Sequence, residues 1–155
     1  MENRYRIAAI PTAFAGRVRA GSVPSLRRVD PDPHQCRHCL TLSAPGEAVL
    51  LVSYPPFATE QPYAERGPIF VHERECPRWR EEEGYPPQFP KRRAVLRAYD
   101  RDEAQIESRV VGDAGVDEVL ADLFTDPRTA FVHARNVAEG CFMFRIDRAA
   151  PPAAP

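Results

Sequence analysis

Runs of apolar side chains broken by proline divide this chain into short segments, and most of them read as strands. Arg4 to Ile10 (RYRIAAI) is the first, stopped by Pro11. Glu47 to Pro55 contains the unbroken run AVLLV between Pro45-Gly46 and Pro55-Pro56, which predicts a strand buried on both faces. Pro68 to Glu73 (PIFVHE) predicts another, ended before Pro77. Ala94 to Tyr99 and Gln105 to Val111 alternate apolar and polar positions, and the polar turn from Asp100 to Glu103 joins them as a hairpin. Thr129 to Arg135 and Cys141 to Ile146 form a second hairpin around Asn136 to Gly140. Its apolar residues Phe131, Val132, Phe142, Phe144 and Ile146 fall on both faces, which an exposed edge would avoid, so this hairpin is expected inside the sheet.

One stretch has a helical period. In VDEVLADLF, residues 116–124, the apolar residues Val116, Val119, Leu120 and Leu123 share a helix face, with Asp113 or Asp117 near the start. Between the periodic segments lie residues 11–45, which hold five prolines and predict a long ordered loop with one short turn of helix. Residues 57–66 read as loop, and 77–91, rich in Pro, Glu and Arg, as exposed loop or short helix. The tail from Ala149 to Pro155 has only Ala and Pro and is expected to be disordered, leaving one domain over 1–148. Strands joined by short hairpins, with one clear helix and long Pro-rich loops, predict an α+β fold on a mainly antiparallel sheet. No internal repeat, Gly-rich phosphate loop or GxSxG elbow occurs.

Charge narrows the partners. The chain's 21 basic and 22 acidic residues give a net charge of -1, so it lacks the basic excess of a nucleic-acid binder. Arg27-Arg28 and Lys91-Arg92-Arg93 read as solvated surface. The longest apolar run, Ala48 to Val52, is far short of a membrane span, and the N-terminus lacks the pattern of a secretory signal. A cytoplasmic location follows as the expectation, with the four cysteines as free thiols or metal ligands rather than a disulfide framework.

The strings CRHCL, PYAERGPIFVHEREC and FVHARNVAEGC, in that order, resemble the bacterial family known as domain of unknown function 1203. The likeness runs from about Cys36 to Arg148. It implies a single small bacterial domain and brings no reaction with it.

Cysteine and histidine mark where chemistry can sit. Cys36-x-x-Cys39 has the spacing of half a zinc site, and His72 with Cys76 is the fair candidate for the other half. On a continuing strand those two would lie about 13 Å apart, so a shared metal requires a sharp turn after His72. Zinc is the cofactor this donor set would suit. The competing readings are small buried cysteines and a redox dithiol, whose flanking strand and helix are missing from DPDPHQ and LTLSAPGE. Elsewhere, alternation puts His133 and Arg135 on one strand face, with Asn136 beginning the turn. Imidazole and guanidinium together suit a small anionic molecule. His72, Cys36 and Tyr63, with Glu65 beside it, are expected to join this pocket. The leading expectation is thus a domain binding or acting on a small anion at His72, His133, Arg135, Asn136 and Tyr63. The alternatives are a non-catalytic module stapled by zinc through Cys36, Cys39, His72 and Cys76, or a protein-interaction domain. No catalytic residue is assigned.

Overall fold

The computed structural model describes residues 4–149 and contains two antiparallel sheets. The larger has the order β1-β8-β7-β5-β6, from Tyr5–Ala8 (β1), Phe142–Arg148 (β8), Phe131–Asn136 (β7), Ala94–Tyr99 (β5) and Gln105–Val110 (β6). The smaller has the order β2-β3-β4, from Ser25–Arg28 (β2), Val49–Tyr54 (β3) and Gly67–His72 (β4). The α+β class, the mainly antiparallel sheet and the two hairpins agree with the sequence pattern. Of the tail, only Ala149 is described, its N–H bonded to the carbonyl of Arg4; the rest lies outside the described residues.

Strand alternation builds the larger core. Leu96 and Ala98 of β5, Val132 and Ala134 of β7, and Phe144 and Ile146 of β8 turn to one face. There they meet Val116, Val119, Leu120 and Leu123 of α2 (Val116–Leu123), the helix read from its period. Each large apolar side chain buried this way contributes about 1.5–3 kcal/mol. No aspartate caps α2: its N-cap is Gly115, at φ 92°. As expected, the β7–β8 hairpin is internal, flanked by β5 and β1.

The long first loop is the main correction. Residues 11–45 contain a two-turn helix, α1 (Thr12–Arg19), and the edge strand β2. Pro11 stands at the N-cap with φ -63°, Arg17 and Arg19 occupy the last turn, and Gly21 follows at φ 81°. This is the N-terminal proline and C-terminal glycine asymmetry of a helix. The apolar stripe of Phe14, Ala15 and Val18 is too short to register as a period, yet it packs α1 onto Val52, Ile69 and Val71 of the small sheet. Part of 77–91 also departs from expectation, because Phe89 is buried and Tyr85 and Phe89 pack on Phe144.

Candidate metal centre

The segment Cys36-Arg37-His38-Cys39 folds into a knuckle held by backbone bonds. Cys36 N–H donates to Thr41 O, Leu40 N–H to Cys36 O, and Arg37 N–H to Phe70 O on β4. Leu40 closes the turn at φ 55°, a left-handed conformation costing a leucine about 1–2 kcal/mol that its complete burial offsets. The knuckle's carbonyls are taken by Ile10 N–H at Arg37 and Trp79 N–H at His38. Its two thiols are thereby fixed against the end of β4.

β4 stops at His72, and the chain bends at Glu73 and Arg74. This is the turn that a shared site requires, and it carries Cys76 back toward the knuckle. The donor atoms of Cys36, Cys39, His72 and Cys76 all lie within 4.8 Å of one another. Cys36 Sγ stands 3.9 Å from Cys76 Sγ, and Cys39 Sγ stands 3.4 Å from His72 Nδ1. Three of the four residues are buried and Cys76 is partly so. The four cysteines of the chain are free thiols. Three thiols and an imidazole brought together from positions 36 to 76 form a cluster able to hold a metal ion.

A second layer of polar groups surrounds the cluster. The backbone N–H of His72 donates to Cys36 Sγ at 3.4 Å, and Thr41 Oγ1 lies 3.1 Å from Cys39 Sγ. Cys76 Sγ receives Arg19 Nη2 at 3.1 Å and lies 3.3 Å from His38 Nδ1, while Thr12 Oγ1 bonds the other nitrogen of His38. Behind His72, Nε2 is 3.0 Å from Glu47 Oε1, close enough for an ion pair though not aligned as a hydrogen bond. Arg74 in turn bonds Glu47 at 2.7 Å and holds its carboxyl below the usual range.

The four donors share charge unevenly. Hydrogen bonds from Cys39 and Cys76 pull the Cys36 thiol far below its ordinary value. Hydrogen bonds to Cys36 and Cys39 push the Cys76 thiol up, because they hold its proton in place. Bonds to Cys36 and Cys39 raise His72 to about 10. Metal binding by such donors is coupled to release of the protons they carry.

The other expected site residues lie on the larger sheet. His133 and Arg135 share a face of β7, as alternation requires, but this face belongs to a different sheet from that of His72. The single pocket expected for these residues therefore divides in two, with His72 and Cys36 in the thiol cluster and Arg135 elsewhere. His133 is fully buried among Phe57, Tyr99, Phe131 and Phe142, each ring centroid 5.0 Å from its own, with Phe142 edge-on and the other three tilted. Neither ring nitrogen has a hydrogen-bond partner among the described residues, and burial lowers its pKa to about 3. Arg135 is 5% exposed and donates from Nη1 to Gly140 O. Asn136 bonds Gln35 and Cys141 Sγ, each at 3.1 Å, and it is Gly140, at φ 72°, that supplies the left-handed turn position. Tyr63 is exposed on its loop.

Sequence reading missed Arg37, Arg19 and Thr12. Arg37, buried between the two knuckle cysteines, donates to Phe142 O at 2.7 Å and Cys141 Sγ at 3.1 Å, so the knuckle is also a clasp onto β8. A charged residue between two candidate ligands was the available signal for it. Nothing in the pattern pointed to Arg19 and Thr12, because the helix that carries them was not foreseen.

The family described as Protein of unknown function (DUF1203) matches residues 33–148, a span that includes all four donors and excludes Thr12 and Arg19. Comparison with curated proteins finds no match, and neither does comparison with solved structures. Among the described residues, no helix is long and apolar enough to cross a membrane.

Proposed function

The chain belongs to the DUF1203 family, whose description names no activity, and we propose that its thiol cluster is a structural zinc centre. Cys36, Cys39, Cys76 and His72 Nδ1 are the ligands, and the metal staples the first loop to the small sheet. The observation that carries this reading is the mutual approach of four soft donors from two separate segments. Around a tetrahedral zinc, with bonds of about 2.3 Å to sulfur and 2.0 Å to nitrogen, ligand atoms stand about 3.5–3.8 Å apart. The separations of 3.9 Å and 3.4 Å lie close to those edges. Four protein ligands close the coordination shell, which favours a structural over a catalytic role.

The outer groups fit the same reading. Three thiolates and a neutral imidazole around a dication leave one negative charge, and Arg19 stands against Cys76 to offset it. With Nδ1 turned to the cluster, Nε2 faces Glu47, the carboxylate–histidine pairing that fixes the tautomer of a metal-bound imidazole. When bound, the metal would supply four coordinate bonds in place of the repulsion among neighbouring thiolates. The chain's own residues then hold Arg37 in position to clasp β8.

Cobalt(II) reports this geometry. Protein prepared without metal and titrated with cobalt should develop the strong visible absorption of a tetrahedral thiolate site, saturating at one equivalent. Cys39→Ser should weaken and shift it. The faint absorption of six-coordinate cobalt, unchanged in Cys39→Ser, would overturn the assignment.

A further inference from the structure

Cys76 differs from its three companions in the cluster. Cys36, Cys39 and His72 are buried, whereas Cys76 is partly exposed and sits between the exposed residues Glu75 and Pro77. Its segment is anchored near its two ends, by Glu73 N–H to Ala48 O and by Trp79 N–H to His38 O. The knuckle cysteines are held more tightly. Leu40 N–H and Thr41 O bond the backbone of Cys36, and the Cys39 sulfur is flanked by Thr41 Oγ1 at 3.1 Å and His72 Nδ1 at 3.4 Å. Of the three sulfurs, that of Cys76 is therefore the one a small solute reaches first and the one with room to move.

A thiolate that meets a peroxide attacks one of its oxygens. A sulfur–oxygen bond forms, the oxygen–oxygen bond breaks, hydroxide leaves, and the sulfur becomes a sulfenic acid. A second thiolate then attacks that sulfur, a sulfur–sulfur bond forms, the sulfur–oxygen bond breaks, and a second hydroxide leaves. The two thiolates lose two electrons, the peroxide gains them, and solvent protons turn both hydroxides to water. Both stages have their groups in place here. Arg19 donates from Nη2 to Cys76 Sγ at 3.1 Å and from Nε to His72 O at 3.0 Å, which sets a cation beside the sulfur while negative charge passes to the departing hydroxide. Cys36 Sγ lies 3.9 Å from Cys76 Sγ, near enough to attack it once the segment carrying Cys76 shifts.

We propose that Cys76 is an oxidation site and Cys36 its resolving thiol, so that a peroxide converts the cluster from a metal site into a Cys36–Cys76 disulfide. The loss of zinc that accompanies this step rests on the metal centre proposed for these residues, since Cys39 and His72 alone are two ligands short of a structural site. The disulfide rests only on the placement of the thiols. Arg37, between the knuckle cysteines, bonds Phe142 O and Cys141 Sγ, so a change in the knuckle is passed to β8.

Hydrogen peroxide is the probe. The chain as purified, with its zinc content measured beforehand, is treated with a small excess. Free zinc is followed with a chromophoric chelator, and thiols by alkylation and peptide mass spectrometry. Two of the four thiols should be lost, a peptide pair should appear joined through Cys36 and Cys76, and one zinc should be released per disulfide. Dithiothreitol should restore both thiols. Cys76→Ser should leave Cys36 and Cys39 unconsumed by peroxide. That variant also removes a ligand, so Cys141→Ser, which touches none of the four, is the folded control, and the Cys36–Cys76 bond should form in it unchanged. A bond between Cys36 and Cys39 instead, or survival of all the thiols in excess peroxide, would overturn the assignment of Cys76. A disulfide that leaves zinc bound would overturn the conversion. A chain found without zinc would contradict the metal centre and not the pairing: the Cys36–Cys76 bond should still form in it, and failure to form there would overturn the pairing as well.

Discussion

His133 is kept free of its proton by its surroundings. Burial among four aromatic rings disfavours imidazolium first, and the nearby charges of Arg135, Arg145 and Arg97 add to it, bringing the pKa to about 3. In the unfolded chain the ordinary value of 6.5 applies. Between these values the unfolded state takes up a proton that the folded state refuses, so stability falls as pH drops through 6.5 toward 3 and then levels. The loss over that window is at most roughly 5 kcal/mol. His133→Leu should flatten it, measured as urea midpoints of both proteins across the range; parallel pH profiles would show that His133 is protonated when folded. Glu47 acts through His72 rather than on a ligand atom directly. Glu47→Gln should lower zinc affinity about 10–100-fold in competition with a chelator, while the thermal midpoint of the fully loaded protein changes little. Unaltered affinity would mean that His72 needs no carboxylate to orient it.

The two helices differ in how openly the sequence announces them. α2 has four apolar residues on one face over eight positions, and its period gives its span almost to the residue. α1 offers Ala15 and Val18 buried with Phe14 partly so, and a glycine in its middle, so proline density hid it. Gly16 has helical backbone and open space where a Cβ would stand. Gly16→Ala should therefore stabilise the protein by about 0.5–1 kcal/mol, raising the thermal midpoint by roughly 2–4 °C. A fall in the midpoint would contradict the packing of α1. The central hairpin was legible because its strands are apolar on both faces. Phe144, fully buried against Tyr85 and Phe89, should cost about 3–5 kcal/mol when cut to alanine, read from urea unfolding. A loss under about 1 kcal/mol, the range of surface changes, would place it outside the core.

At the scale of the whole molecule, the metal centre and the clasp of Arg37 are one construction. The knuckle holds Cys36 and Cys39 toward β4 and, through the residue between them, reaches Phe142 and Cys141 on β8. All four donors could be named from spacing, subject to a bend after His72 that strand pattern alone does not reveal. The division of His72 from His133 was not legible, because which strands are neighbours depends on long-range pairing that period-2 alternation leaves open. Loss of the metal should loosen the small sheet, the knuckle and the β8 contact together, so chelation is expected to lower the thermal midpoint of the whole cooperative transition. The most direct test of the zinc centre is native mass spectrometry of the freshly purified chain. The account predicts a mass corresponding to one zinc per chain, displaced on unfolding in acid and missing from Cys76→Ser. A folded chain at its bare polypeptide mass, with all four thiols open to alkylation and no response to added zinc, would contradict it.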